Sequence, residues 1–212
     1  GQHCVGRDPL LLELLREAEQ ARNGSPRRLL LVGPAGVGKT RVLDELEARL
    51  RLRGARVVRV GFLPGTSEVE FSGLTDVVRA LAALPGSLGV SEQSARRLLA
   101  IVPELAERFP GASRAGALVD GGIRGLPEAV DDLLAAVAED RPVVLMLDNM
   151  DFADLSTLRV FASTILRPGS RLLAIGTSRR GMSPMLSAGS TQVMEVLPLS
   201  EADIRGMLRA VA

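Results

Sequence analysis

Apolar residues along this chain alternate between two rhythms. Leu10, Leu11, Leu14, Leu15 and Ala18 recur at helical spacing after Asp8-Pro9, a capping residue followed by a proline suited to a first helical turn. Asn23-Gly24-Ser25-Pro26 breaks that pattern, and residues 29–32 then form a short unbroken apolar run between turn residues, as a strand buried on both faces requires. Beyond a glycine-rich stretch the helical rhythm returns with Val42, Leu43, Leu46 and Leu50. Further strand-like runs lie at 57–60, 143–147 and 172–175, with a weaker fifth at 193–196. Helical patterns fall between them at 71–84, 91–102, 126–138 and 155–166, separated by Gly/Pro-rich breaks. Short strands alternating with helices predict βαβ units, hence an α/β fold with a mainly parallel five-stranded sheet and helices on both faces.

Composition narrows the classes that remain. In 212 residues, hydrophobic residues make up 46% and charged residues 24%, enough for one well-buried core of ordinary character. Lys and Arg number 26 against 25 Asp and Glu, so no global field draws the chain to nucleic acid or to acidic membranes. Cys4 is the single cysteine, which excludes an intrachain disulfide and a Cys/His zinc site and fits a reducing compartment. No apolar run approaches the roughly 20 residues that span a bilayer, and no secretory signal pattern opens the chain. The reading is a soluble, cytoplasmic protein without membrane attachment. Gly1 at the start and the helical pattern of 201–212 at the end read as a piece of something longer.

The glycine-rich stretch carries the chemistry. Gly33-Pro34-Ala35-Gly36-Val37-Gly38-Lys39-Thr40 satisfies the pattern G-x-x-x-x-G-K-[ST] in full, between an apolar strand and an amphipathic helix. That context converges backbone N–H groups and a helix N-terminus on one point, which makes an anion site. Glycines let the backbone curl around a phosphate, Lys39 neutralises β- and γ-oxygens, and the Thr40 hydroxyl ligates magnesium. A strand-to-helix turn that binds nothing is the bland alternative, and the complete pattern in this context argues against it. The expected ligand is ATP or ADP with Mg2+ in a P-loop NTPase domain.

A second strand supplies the partner. The run 143–147 ends in Asp148, a carboxylate at the carboxyl edge of the sheet that can hold a magnesium-bound water. Asn149, Asp151 and Asp154 follow. Asp151 reads as a solvated carboxylate or a rival catalytic base, and Asp154 as either a helix N-cap or a functional group. After the 172–175 strand, Arg179 stands where an arginine can sense a triphosphate, or is a surface charge.

These residues resemble the STAND branch of the AAA+ superfamily, in particular the nucleotide-binding domain of large LuxR-type bacterial transcription activators. Cys4-Val5-Gly6-Arg7-Asp8 resembles the family's opening V-G-R-[DE] motif, and the P-loop follows with Arg41 directly after it. Residues 147–158 resemble its D-D-x-H-W-A-D-x-x-S-L segment, 172–179 its strand plus arginine, and Leu197-Pro198-Leu199-Ser200 its approach to a helical lid. The resemblance implies that Val5, Gly6 and Arg7 lie against adenine and ribose and that Arg179 is a sensor. It also implies a nucleotide-binding domain over 1–200, the start of a truncated lid over 201–212, self-association in the ATP state, and nucleic-acid contact only through a domain absent from this chain. Asn149 stands where the family carries a second aspartate, and Asp151 where it carries histidine, so ATP turnover is expected to be slow. The resulting expectation is an ATP/ADP switch from a multidomain signal-responsive regulator; the alternatives are a phosphotransferase or remodelling ATPase acting on a separate substrate, and an interaction module with a vestigial pocket.

Overall fold

The computed structural model describes residues 6–114, 125–163, 166–179, 191–199 and 205. In chain order the elements are α1 (Asp8–Arg22), β1 (Arg27–Val32), α2 (Lys39–Leu52), β2 (Arg56–Gly61), α3 (Ser72–Ala82), α4 (Glu92–Ile101), α5 (Pro110–Arg114), α6 (Leu126–Ala138), β3 (Val143–Asp148), α7 (Leu155–Ser163), β4 (Leu172–Ser178) and β5 (Thr191–Glu195). Short 3-10 turns punctuate the connections. The strands make one five-stranded sheet in the order β2-β3-β4-β1-β5, and every pairing is parallel. All carboxyl ends therefore lie along one edge, with β1 between β4 and β5.

Alternation along the strands divides the core into two halves. Leu29 and Leu31, with Val144, Met146, Leu173 and Ile175, pack under α1 and α2. Leu30, Val32, Val58, Leu145 and Leu147 pack under α3, α4, α6 and α7 on the opposite face. Every residue of β3 is buried, which explains its unbroken apolar reading. Among the described residues no helix is long and apolar enough to cross a membrane.

Several boundaries differ from the sequence reading, each for a physical reason. β4 runs to Ser178 rather than ending at 175, because Gly176, Thr177 and Ser178 continue the ladder opposite Leu30, Leu31 and Val32. Small and polar residues carry no apolar signal yet hydrogen-bond like any others. At α1 the N-cap residue is Arg7, with no side-chain cap, and Asp8 sits in the first turn beside Pro9, where its charge favours the helix dipole. Ser91 does cap α4, its hydroxyl accepting from the Ser94 N–H at 3.2 Å. α7 is described to Ser163. Val5 and, apart from the helical residue at 205, the 201–212 lid pattern lie outside the described residues.

Candidate nucleotide site

The loop between β1 and α2 owes its shape to three glycines. Gly36 (φ 75°) and Gly38 (φ 100°) take left-handed conformations that side chains resist. A Cβ added at either would meet nothing within 4 Å, so the loop encloses open space rather than packed protein. Gly33 is required for another reason: a Cβ there would lie 2.7 Å from the Val196 carbonyl oxygen, just past β5. Lys39 begins α2 and is only 8% exposed. Its Nζ donates to the carbonyls of Gly33 at 2.7 Å and Pro34 at 3.0 Å, which folds the ammonium across the loop. Burial lowers the Lys39 pKa below its ordinary value; Asp151 and Asp148 oppose that shift, and Arg179 adds to it. These four groups therefore share one electrostatic neighbourhood. Thr40 and Arg41 follow, both exposed.

The acidic end of β3 lies beside this loop. Asp148 is 4% exposed, and both of its oxygens are engaged. Oδ1 accepts from the Thr177 hydroxyl at 2.6 Å and Oδ2 from the Arg59 guanidinium at 3.0 Å. Thr177 Oγ1 also accepts from the Asn149 N–H at 2.9 Å, so β4 fixes both residues of the pair. Asn149 itself is left-handed (φ 58°, ψ 47°), a conformation its short polar side chain tolerates. Asp151, half-buried, receives the Arg179 N–H at 3.0 Å and the Ser178 hydroxyl at 3.1 Å. Arg179 lays its guanidinium over the Phe152 ring, 5.3 Å from the centroid. The structure thus brings Lys39, Asp148, Asp151 and Arg179 together at the carboxyl edge.

Arg7 and Asp154 have defined surroundings. Arg7 is 7% exposed and donates to the Val37 carbonyl at 2.7 Å and to the Leu197 carbonyl, tying the chain before α1 to the phosphate loop and to the segment after β5. Gly6 precedes it with φ 74°. Asp154 takes the capping role: it accepts from the Thr157 N–H at 2.8 Å at the start of α7, and from Phe71 and Gly73 N–H groups at 3.0 and 3.2 Å at the start of α3. Burial alone would raise its pKa, but the Thr157 hydroxyl and N–H and the two α3 amides outweigh it and hold the carboxyl below its usual value. Thr177 and Arg59 are the two neighbours of Asp148 that sequence reasoning missed. Arg59 had a signal, a lone charge inside the apolar 57–60 run; Thr177 had none.

The sequence model of the AAA ATPase domain matches residues 3–175. Among solved structures, the Aeropyrum pernix ORC1 protein in complex with DNA aligns with TM-score 0.52 at 18% identity, covering 99% of this chain and 50% of that one. Drosophila ORC bound to poly(dA/dT) DNA and Cdc6 aligns with TM-score 0.50 at 14% identity, covering 97% and 31%. At such identities the likeness is one of fold, and the chain spans half the length of the Aeropyrum pernix protein. No curated protein sequence matches the chain.

Proposed function

We propose that this chain, which belongs to the AAA ATPase domain family, is a nucleotide-operated switch that binds ATP or ADP at residues 33–40 and hydrolyses ATP slowly. The observation that carries this is the cradle shaped by left-handed Gly36 and Gly38, with the Lys39 ammonium folded onto the Gly33 and Pro34 carbonyls. A lysine buried against carbonyls beside a helix N-terminus is poised to exchange those partners for phosphate oxygens.

The other residues take roles that their positions support. Gly33 through Gly38 would wrap the phosphates: Ala35, Gly36, Val37 and Gly38 can offer backbone N–H groups, while Pro34, which has none, and Gly33, whose N–H donates to the Ser178 carbonyl, shape the turn. Thr40 through its hydroxyl, and Asp148 through water, would hold magnesium, which when bound offsets charge on the β- and γ-oxygens. Asn149 sits where a water-orienting group belongs, and its amide accepts a hydrogen bond without acting as a base. Arg179, anchored by Asp151 and Phe152, faces the same edge as a triphosphate sensor. Arg7 joins the loop carbonyl of Val37 to that of Leu197, so a loop that moves with nucleotide also pulls on the segment leading from β5. That linkage supports a switch over a phosphotransferase. It is also consistent with the resemblance to STAND regulators of the LuxR type, in which a domain over 1–200 leads into a lid from 201, self-associates with ATP, and leaves DNA contact to other domains.

Thermal unfolding with and without nucleotide tests the binding site. Magnesium ATP or ADP at about 100 times its Kd stabilises a one-site protein by about 2.7 kcal/mol. Wild type is expected to show that rise in Tm and Lys39→Ala to lose nearly all of it. Equal shifts in both proteins, or none in wild type, sink the assignment.

A further inference from the structure

β2 carries one charged residue inside its buried stretch, Arg59, and directs it to the face that α2 covers. Its side chain is 23% exposed and lies among three carboxylates. Nη2 donates to Asp148 Oδ2 at 3.0 Å, while Nη1 reaches Asp44 Oδ1 at 2.5 Å and Glu47 Oε2 at 3.4 Å. Asp44 and Glu47 lie on α2, one and two turns beyond Thr40. The register sets the arrangement: Gly61 pairs with Asp148 and Arg59 with Met146, so the guanidinium reaches forward along the edge strand to the carboxylate.

We propose that Arg59 is the resident counter-ion of Asp148 and sets how strongly the nucleotide site takes up magnesium. The inference rests on reading Asp148 as the metal-side carboxylate. Two effects of the guanidinium oppose each other. It helps orient the carboxylate, which favours a metal, and it places a permanent positive charge beside it, which disfavours one. Orientation is the smaller effect, because the Thr177 hydroxyl already fixes Asp148 through the other oxygen at 2.6 Å. The charge would act on a divalent ion held beside Asp148, and even with screening as strong as that of water it is worth about five- to tenfold in affinity. Arg59 therefore keeps the ligand-free site near electrical balance and loosens the hold on magnesium.

The measurement is the ratio of affinities for a non-hydrolysable ATP analogue in Mg2+ and in EDTA, by calorimetry. Removing the charge in Arg59→Gln should raise that ratio about five- to tenfold, and Arg59→Met, which keeps the packing of the stem, should do the same if the glutamine variant folds poorly. Arg59→Lys keeps the charge and should stay near wild type, an outcome that a purely structural role does not produce. Asp148→Asn should lower the ratio, and adding Arg59→Gln to it should recover part of the loss, because the guanidinium charge acts on the ion itself and not only through the carboxylate. An unchanged or reduced ratio in Arg59→Gln and Arg59→Met, with the expected drop in Asp148→Asn, overturns the role of Arg59 alone. So does an equal rise in Arg59→Lys. No drop in Asp148→Asn removes the metal-side reading itself, and this inference falls with it.

Discussion

At the scale of single residues, the proposed slow turnover rests on Asn149. Its left-handed backbone is one that aspartate tolerates equally, and its N–H bond to Thr177 does not involve the side chain, so Asn149→Asp alters chemistry with little effect on conformation. An ionised acceptor orients and polarises water more strongly than an amide, and single-turnover hydrolysis of ATP is expected to rise about tenfold or more in Asn149→Asp. Asp151 is the competing base, although its oxygens already hold the Arg179 N–H and the Ser178 hydroxyl. Should Asn149→Asp leave the rate unchanged while Asp151→Asn destroys it, the base is Asp151. The glycine turn before α2 and the carboxylate that ends β3 were legible in the sequence, the first from a motif of fixed spacing and the second from an apolar run that stops at an acid. The pairing of Thr177 and Arg59 with Asp148 was not, since each meets a partner about 30 or 90 positions away that only strand register brings near, although Arg59 stood out as a charge in an apolar run.

At the scale of elements, Asp154 shows how one carboxylate joins two helices. It closes the first turn of α7 through Thr157 and the first turn of α3 through Phe71 and Gly73, and Thr157 extends the link by accepting from the Leu74 N–H at 2.9 Å. Asp154→Ala leaves these buried donors unsatisfied and is expected to cost about 3 kcal/mol, read by urea unfolding. Because its folded pKa is depressed, the ionised carboxyl contributes stability above its unfolded value near 4, and that contribution is lost as pH falls through the folded value. The difference between wild type and Asp154→Ala should therefore be largest at neutral pH and shrink below about pH 4. A pH-independent difference would show that packing, not charge, supplies the cost. Only half of this cap was open to the sequence: an aspartate before a helical pattern offers a cap for its own helix, but nothing in the order of residues connects it to α3, more than 80 positions earlier. The same limit applies to β4, where burial and pairing extend a strand through residues that carry no hydrophobic signal.

At the scale of the whole molecule, the alternation of apolar runs and helical patterns was sufficient for a parallel five-stranded sheet, while strand order was not readable from it. The order β2-β3-β4-β1-β5 places the strand that leads into the glycine loop between β4 and β5. β1 spans Arg27–Val32, yet its neighbours are Leu172–Ser178 and Thr191–Glu195. Closing such long loops is entropically costly and slow, so β1 lacks its two sheet neighbours until β4 and β5 are available. During synthesis from the N-terminus, the complete phosphate-loop motif leaves the ribosome long before anything can hold it in shape. A chain ended at residue 170 keeps every residue of 33–40 but is expected to show no calorimetric heat of binding with magnesium ATP; wild-type affinity in that fragment would refute the dependence. On the proposed reading, nucleotide capture is then a late event in biogenesis, expected only of chains whose β4 and β5 have docked beside β1.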